Sequence, residues 1–191
     1  MNKKLKAESL EMNQAYNQVQ QWFFAYPTRE MGLNDLSGEM RISKTTAKEI
    51  VLALEEDGFL RREVLGRLWR ISCNPHHPYN YMRKVSYNLM LIYESSILKA
   101  IHEMIPNPKS VILFGSYRKG DDTEKSDIDI AVEVVGNEGV KLVKLGVIPQ
   151  LGYRENVTVN LYVFSRNKID LNLFANIANG IVLEGFLEVR P

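Results

Sequence analysis

Val111-Ile112-Leu113-Phe114-Gly115-Ser116-Tyr117-Arg118-Lys119-Gly120, followed at position 126 by Ser126-Asp127-Ile128-Asp129-Ile130-Ala131-Val132-Glu133-Val134, decides the reading of this chain. The apolar run Val111–Phe114 has the length and composition of a buried strand. Gly115 and Ser116 then fall where a strand opens into a helix, a place where unpaired backbone N–H groups point outward and phosphate oxygens bind well. The second segment alternates polar and apolar. As a strand it sends Asp127 and Asp129 to one face and Ile128, Ile130 and Val132 to the other. Two carboxylates at i and i+2 make a hard, oxygen-rich site suited to Mg²⁺ or Mn²⁺, which prefer carboxylates and substrate phosphates to soft ligands. The bland alternative is a solvated strand face beside a loop rich in charge, with Asp121, Asp122, Glu124 and Lys125.

Gly115-Ser116, ten intervening residues and Asp127-x-Asp129 between apolar neighbours resemble the pattern of the polymerase β-like nucleotidyltransferase superfamily. Lys119-Gly120 and Ser126-Asp127 bring the chain closer to the small "minimal" nucleotidyltransferases of archaea and bacteria. The similarity runs from about Ser110 to the closing Ile177-Ala178-Asn179-Gly180-Ile181-Val182-Leu183-Glu184-Gly185. It implies a nucleotide site at Gly115, Ser116, Lys119, Gly120 and Ser126, with Ser116 and the nearby backbone on the β- and γ-phosphates and Lys119 neutralising them. It also implies that Asp127 and Asp129 are catalytic and carry the metal. The implied reaction moves a nucleoside monophosphate to an acceptor hydroxyl by in-line displacement. The family places a third carboxylate on a following strand in a Val-Asp-Leu setting. Here that strand reads Val157-Thr158-Val159-Asn160-Leu161-Tyr162-Val163-Phe164, and the aligned residue is Asn160. An asparagine offers a carbonyl oxygen but neither negative charge nor a base. Glu133, on the parity of the aspartates, and Glu155, just before the third strand, are the available substitutes, and neither stands at the expected position.

The N-terminal third has a different character. Ala15, Val19, Trp22 and Phe23 recur at helical spacing within Asn13–Phe24, and Pro27 ends that helix. Leu33–Met40 is a short helix candidate, with Gly38, Arg41 and Ile42 turning the chain. Ser43 reads as the N-cap of a helix from Lys44 to Asp57, with Ala47, Ile50, Val51 and Leu54 on one stripe and Gly58 as its stop. Phe59–Leu65, Gly66 and Arg67–Ser72 read as a hairpin. Three helices before a two-stranded wing resemble a winged helix-turn-helix domain, over about residues 10 to 75. That resemblance implies duplex DNA as partner, with Lys44, Thr45, Thr46 and Lys48 presented to the major groove and Arg61, Arg62, Arg67 and Arg70 on phosphates. The alternative use of such a wing is dimerisation or domain docking, since Glu49, Glu55, Glu56, Asp57 and Glu63 offset much of the charge.

The 191 residues, 45% apolar and 25% charged with a formal net charge of +1, suit two small globular domains and give no global attraction to polyanions. The lone Cys73 excludes an intrachain disulfide. Met1–Lys6 is basic without an apolar core behind it, unlike a signal peptide, and no run reaches the ~18 apolar residues of a membrane span. A cytoplasmic protein with no membrane partner is expected. Asn74-Pro75-His76-His77-Pro78 breaks both periodicities, so the expected organisation is a domain at 1–75, a linker at 76–80 and a second domain at 81–191 opened by one long helix, Tyr81–Met104. Cys73, His76 and His77 give only a weak zinc signal. His102 reads as a satisfied packing residue, and the tyrosines at 81, 87 and 93 read as partial core.

The expected architecture is α/β (α+β): a winged helix followed by a nucleotidyltransferase-type mixed sheet with flanking helices. Its expected work is metal-dependent transfer from a nucleoside triphosphate, with a nucleic-acid-binding winged helix and a possible homodimer as the assembly. The alternative is a DNA-binding transcriptional regulator whose second domain binds a nucleotide without turning it over.

Overall fold

The structure is a computed structural model and describes residues 14–137 and 139–189; the basic start and Asn13 lie outside them. It divides into two compact units, Met1–Phe23 with Arg29–Asn74, and Phe24–Thr28 with Pro75–Pro191. Together they make a mixed α+β protein, as expected.

In the first unit, α1 (Gln14–Ala25), whose last two residues count with the second, is followed by a short strand β1 (Glu30–Gly32), α2 (Leu33–Glu39), α3 (Lys44–Glu56), β2 (Leu60–Leu65) and β3 (Leu68–Cys73). The Ser43 hydroxyl accepts from the Thr46 N–H at 3.0 Å, which fixes the start of α3. Ala47, Ile50, Val51 and Leu54 are its buried stripe, and Val19, Phe23, Leu36, Phe59 and Ile71 are buried in the same unit. The reversal before α3 differs from expectation: Gly38 stays inside α2, and Arg41 takes the left-handed conformation at φ 54°. β2 and β3 form an antiparallel hairpin turning at Gly66, and β1 pairs β3 from the other side, giving the order β1-β3-β2. Three residues are too few for an alternation to be visible, so β1 has no sequence signal.

The single helix expected from Tyr81 to Met104 is three: α4 (Tyr79–Met82), α5 (Lys84–Glu94) and α6 (Ile97–Met104). Ser95 breaks it. Its hydroxyl donates to the Ile92 carbonyl at 2.7 Å and accepts from the Ile97 N–H at 3.3 Å, the local competition by which serine interrupts a helical ladder. α4 also runs into the stretch expected to be linker. The His77 ring accepts from the Tyr79 N–H at 3.2 Å at its start, and Cys73 is buried. His102 is not a packing residue: it is exposed on the surface, with its Nε2 2.9 Å from Glu184. Tyr81 and Tyr93 are likewise more than half exposed.

β4 (Ser110–Phe114), a one-turn helix α7 (Gly115–Lys119), β5 (Ile128–Glu133), β6 (Lys141–Leu151), β7 (Arg154–Phe164), α8 (Leu171–Ala178) and β8 (Ile181–Gly185) complete the chain. The sheet order is β6-β7-β5-β4-β8; β5 and β7 are parallel, and the other pairs are antiparallel. On one face Val111, Leu113, Ile128, Ile130, Val132, Val159 and Leu161 pack with Ile92, Ile97 and Ile101 of α5 and α6. On the other, Ile112, Phe114, Ala131 and Phe164 pack with Ile177 of α8. Burying one such isoleucine is worth about 1.5–3 kcal/mol, so each face is closed by its helices. The second face also carries Asp129, at the end of β5 away from Phe164.

Candidate active site

Antiparallel pairing sets Phe114 opposite Asp129, so the turn at Gly115 lands against that carboxylate. Gly115 has φ 73°, and a Cβ there would sit 2.9 Å from Asp129 Oδ2, so only glycine brings the backbone this close. Parallel pairing sets Asn160 opposite Asp129. The Asn160 amide donates to Asp127 Oδ2 at 3.3 Å and to Asp129 Oδ1 at 3.4 Å. Asp127, just before β5, is exposed, and Asp129 is half-buried.

Both bonds are long. Their common donor sets one N–H dipole against two adjacent negative charges. Burial pushes the Asp129 carboxyl above its usual range; the Asn160 bond opposes this and the Asp127 charge adds to it. Tyr162, two residues along β7 and edge-on to the Phe114 ring at 5.0 Å, is raised by burial and then by both aspartates, which marks it as the aromatic flank of the same site. Two carboxylates are hard oxygen donors, and Asn160, which here turns its N–H toward both of them, offers its carbonyl to a cation once its amide turns over. The donor set therefore fits a divalent cation such as Mg²⁺, with one ligand fewer in charge than a three-carboxylate site. Among the described residues, no group of three or more His, Cys, Asp or Glu is placed to hold a metal.

The other residues expected at the nucleotide site divide. Ser116 follows Gly115 in α7, and Lys119 is exposed at the helix end. Gly120 is required by packing: it has φ 79°, and a Cβ would fall 1.9 Å from the Asn80 carbonyl oxygen. The Ser126 hydroxyl accepts from the Thr123 N–H at 2.9 Å, shaping the loop before Asp127. The possible substitutes for a third carboxylate are both misplaced. Glu133 is buried at the far end of β5, bonded by Ser110 at 3.2 Å and Lys109 at 3.3 Å and 3.3 Å from Arg166. At ~3.3 Å per residue it lies about 13 Å from Asp129 along the strand. Glu155 is exposed and pairs with Gln150 at the start of β7, about 17 Å from Asn160 by the same rise.

A buried network behind the loop had no sequence signal, because nothing in the local pattern distinguishes these polar residues from surface ones. Lys84 Nζ lies 3.3 Å from Asp122 Oδ2, and the Asn88 amide donates to Asp122 Oδ1 at 2.9 Å and to the Tyr117 carbonyl at 3.1 Å. Burial holds the Asp122 carboxyl above its usual range, chiefly against the attraction of Lys84. Arg154 donates to the carbonyls of Ser126 at 2.7 Å and Glu124 at 3.0 Å, and to the Tyr117 hydroxyl.

In the first unit, Lys44, Thr45 and Lys48 are exposed on α3, and Thr46 is half-buried with its hydroxyl 2.8 Å from that of Ser43. Lys44, Lys48, Arg67 and Trp69 line a groove of about 440 Å³ together with Asp35. The four hairpin arginines are not equivalent. Arg62 pairs with Glu55 at 2.9 Å and lies over the Trp69 ring, and Arg70 is within 3.4 Å of Glu30 and 3.2 Å of Glu63. Arg61 donates to Asn74 at 3.1 Å, and Arg67 is exposed at the hairpin turn.

Residues 94–175 match the family model of the nucleotidyltransferase domain. The matched stretch contains the Gly115-Ser116 turn, both aspartates and Asn160, and it supports a polymerase β-like nucleotidyltransferase there, with nucleotidyl transfer in general and a nucleotide substrate as its implication. No curated protein matches the chain. Among the described residues, no helix is long and apolar enough to cross a membrane.

Proposed function

We propose that the second unit is a metal-dependent nucleotidyltransferase that moves a nucleoside monophosphate from a nucleoside triphosphate to an acceptor, and that the first is a winged helix that brings it to duplex nucleic acid. The observation that carries the first part is the convergence of Asp127, Asp129 and the Asn160 amide beside the Gly115-Ser116 turn. Backbone N–H groups of Gly115 and Ser116 and the Ser116 hydroxyl would bind phosphate oxygens, with Lys119 offsetting their charge. Asp127 and Asp129 would hold Mg²⁺ or Mn²⁺, with Asn160 turning its amide over to contribute the carbonyl. A cation so held supplies neutralisation of the attacking and leaving oxygens. Tyr162 and Phe114 would shield that side of the site from water. Asn160 cannot take the acceptor's proton, so that proton leaves to solvent or to an aspartate.

The missing third carboxylate favours a second reading, a regulator that holds the nucleotide as a ligand. In both readings Lys44, Thr45 and Lys48 meet the groove of the duplex, while Arg61 and Arg67 contact phosphates more readily than Arg62 and Arg70, whose charges are already paired. A cytoplasmic setting and a homodimer are compatible with both.

Calorimetric titration of nucleoside triphosphate with and without Mg²⁺ tests the site. Binding should require the cation and disappear in Asp127→Ala with Asp129→Ala, because the remaining pocket has nothing to bridge it to the phosphates. Undiminished binding in the double variant would remove the metal from the argument. Transfer of labelled nucleotide to an acceptor then separates enzyme from sensor.

A further inference from the structure

The loop between α7 and β5 delivers Asp127, and at its last two residues it has no strand pairing to hold it. Thr123 closes the loop on itself at Ser126, and one buried guanidinium ties it to its neighbours. Arg154 is 7% exposed, and its Nη2 donates to the Ser126 carbonyl at 2.7 Å and to the Glu124 carbonyl at 3.0 Å, while its Nη1 donates to the Tyr117 hydroxyl. Tyr117 is itself buried on α7, its phenol held neutral chiefly by that burial, with the Arg154 charge opposing. One side chain therefore joins α7, the loop and the first residue of β7. The same strand carries Asn160, whose amide reaches the Asp127 carboxylate. β7 thus grips the Ser126–Asp127 junction twice, at the backbone through Arg154 and at the side chain through Asn160.

We propose that Arg154 is a positioning residue that sets Asp127 for cation binding through the Ser126 carbonyl. The proposal rests on the reading of Asp127 and Asp129 as the cation-holding pair. A planar fork can serve two carbonyls and a hydroxyl at once, whereas an ammonium at the end of a flexible stem cannot. Groups that orient ligands without touching the metal contribute about 10–100-fold to its affinity. Lys84 and Asn88 anchor the other end of the loop at Asp122, four residues from Ser126, and leave the junction itself to Arg154.

The test uses the full chain and Mn²⁺ alone, followed by electron paramagnetic resonance. Wild type should bind one Mn²⁺ that Asp127→Ala abolishes; no such binding refutes the cation site itself and with it the positioning role of Arg154. Given binding, Arg154→Lys should weaken it at least tenfold. The melting temperature of Lys84→Met serves as the comparison, since that variant damages the loop's other anchor and should change Mn²⁺ affinity less than threefold despite its lower stability. Tyr117→Phe, which removes one acceptor of the guanidinium and keeps the ring, should cost a smaller two- to fivefold, and it decides the matter if Arg154→Lys does not fold. Unchanged affinity in the folded variant, or a loss in Lys84→Met equal to that in Arg154→Lys, would overturn the positioning role and leave Arg154 as a general stabiliser.

Discussion

Replacing Asn160 by Asp converts a donor shared between two carboxylates into a third negative charge. The amide nitrogen stands 3.3 Å from Asp127 Oδ2 and 3.4 Å from Asp129 Oδ1. At such separations two unit charges repel by about 1 kcal/mol in water and about 5 kcal/mol at the effective dielectric of a protein surface. Asp127 is exposed and takes the lower figure; Asp129 is half-buried and takes one between them, roughly 2–3 kcal/mol. The added repulsion is then about 3–4 kcal/mol at neutral pH, and a divalent cation that neutralises it recovers that amount, equivalent to roughly 10²- to 10³-fold in affinity. Without a cation, Asn160→Asp should melt several degrees below wild type. Saturating Mg²⁺ should reverse the order, because ligand binding to the folded state alone stabilises it by mass action. Calorimetry with Mg²⁺ and Mn²⁺ and melting curves in chelator and in Mg²⁺ read both effects, and transfer of labelled nucleotide should rise or appear. A variant with wild-type cation affinity and a melting temperature indifferent to Mg²⁺ would refute the assignment of Asp127, Asp129 and position 160 to one cation site.

Lys84→Met should destabilise the protein by about 3–5 kcal/mol in urea unfolding, since it strands the buried Asp122 charge, and adding Asp122→Leu should recover much of the loss. Gly120→Ala should cost at least 2 kcal/mol, combining left-handed strain of about 1–2 kcal/mol with a clash against the Asn80 carbonyl; a neutral effect would mean that the loop moves freely. For alkaline unfolding, Tyr87 is the group to watch, its hydroxyl pushed up to about 12, first by burial and then by Tyr153. Its contribution is full below the ordinary tyrosine value of about 10 and is lost as pH rises toward 12, so Tyr87→Phe should flatten the fall in stability over that window. Lys44→Ala with Lys48→Ala should weaken binding of the full chain to duplex DNA and reduce its salt slope by about 2, whereas Arg70→Ala should matter less because that guanidinium is already engaged by two carboxylates.

What the sequence made legible follows from period and spacing. The β5 pattern put Asp127 and Asp129 together because strand alternation leaves no other choice, and the apolar run of β7 could be seen as a neighbouring strand with Asn160 near its middle. The Ser43 cap and the stripe of α3 were readable for the same reason: each is a local rule acting over fewer than a dozen residues. Elements without such a rule were invisible. β6 is an edge strand with ten of its eleven residues at least partly exposed, so it shows no alternation. The break at Ser95 depends on a hydroxyl choosing a backbone partner over solvent. Lys84, Asp122 and Arg154 look like surface charges until three separate elements close over them. Glu133 shows the converse error, because parity gave it the right face while length along the strand put it at the wrong end.

The close approach of Gly115 to Asp129 makes the two halves of the motif a single mechanical object. The turn cannot acquire a side chain without displacing a carboxylate oxygen, and the carboxylate cannot lengthen to glutamate without meeting the turn. At Gly115 the left-handed φ of 73° adds to that contact and disfavours a side chain whatever residue stands at position 129. Position 160 stands outside that contact, and exchange of Asn160 for Asp changes the charge beside both aspartates at nearly constant size.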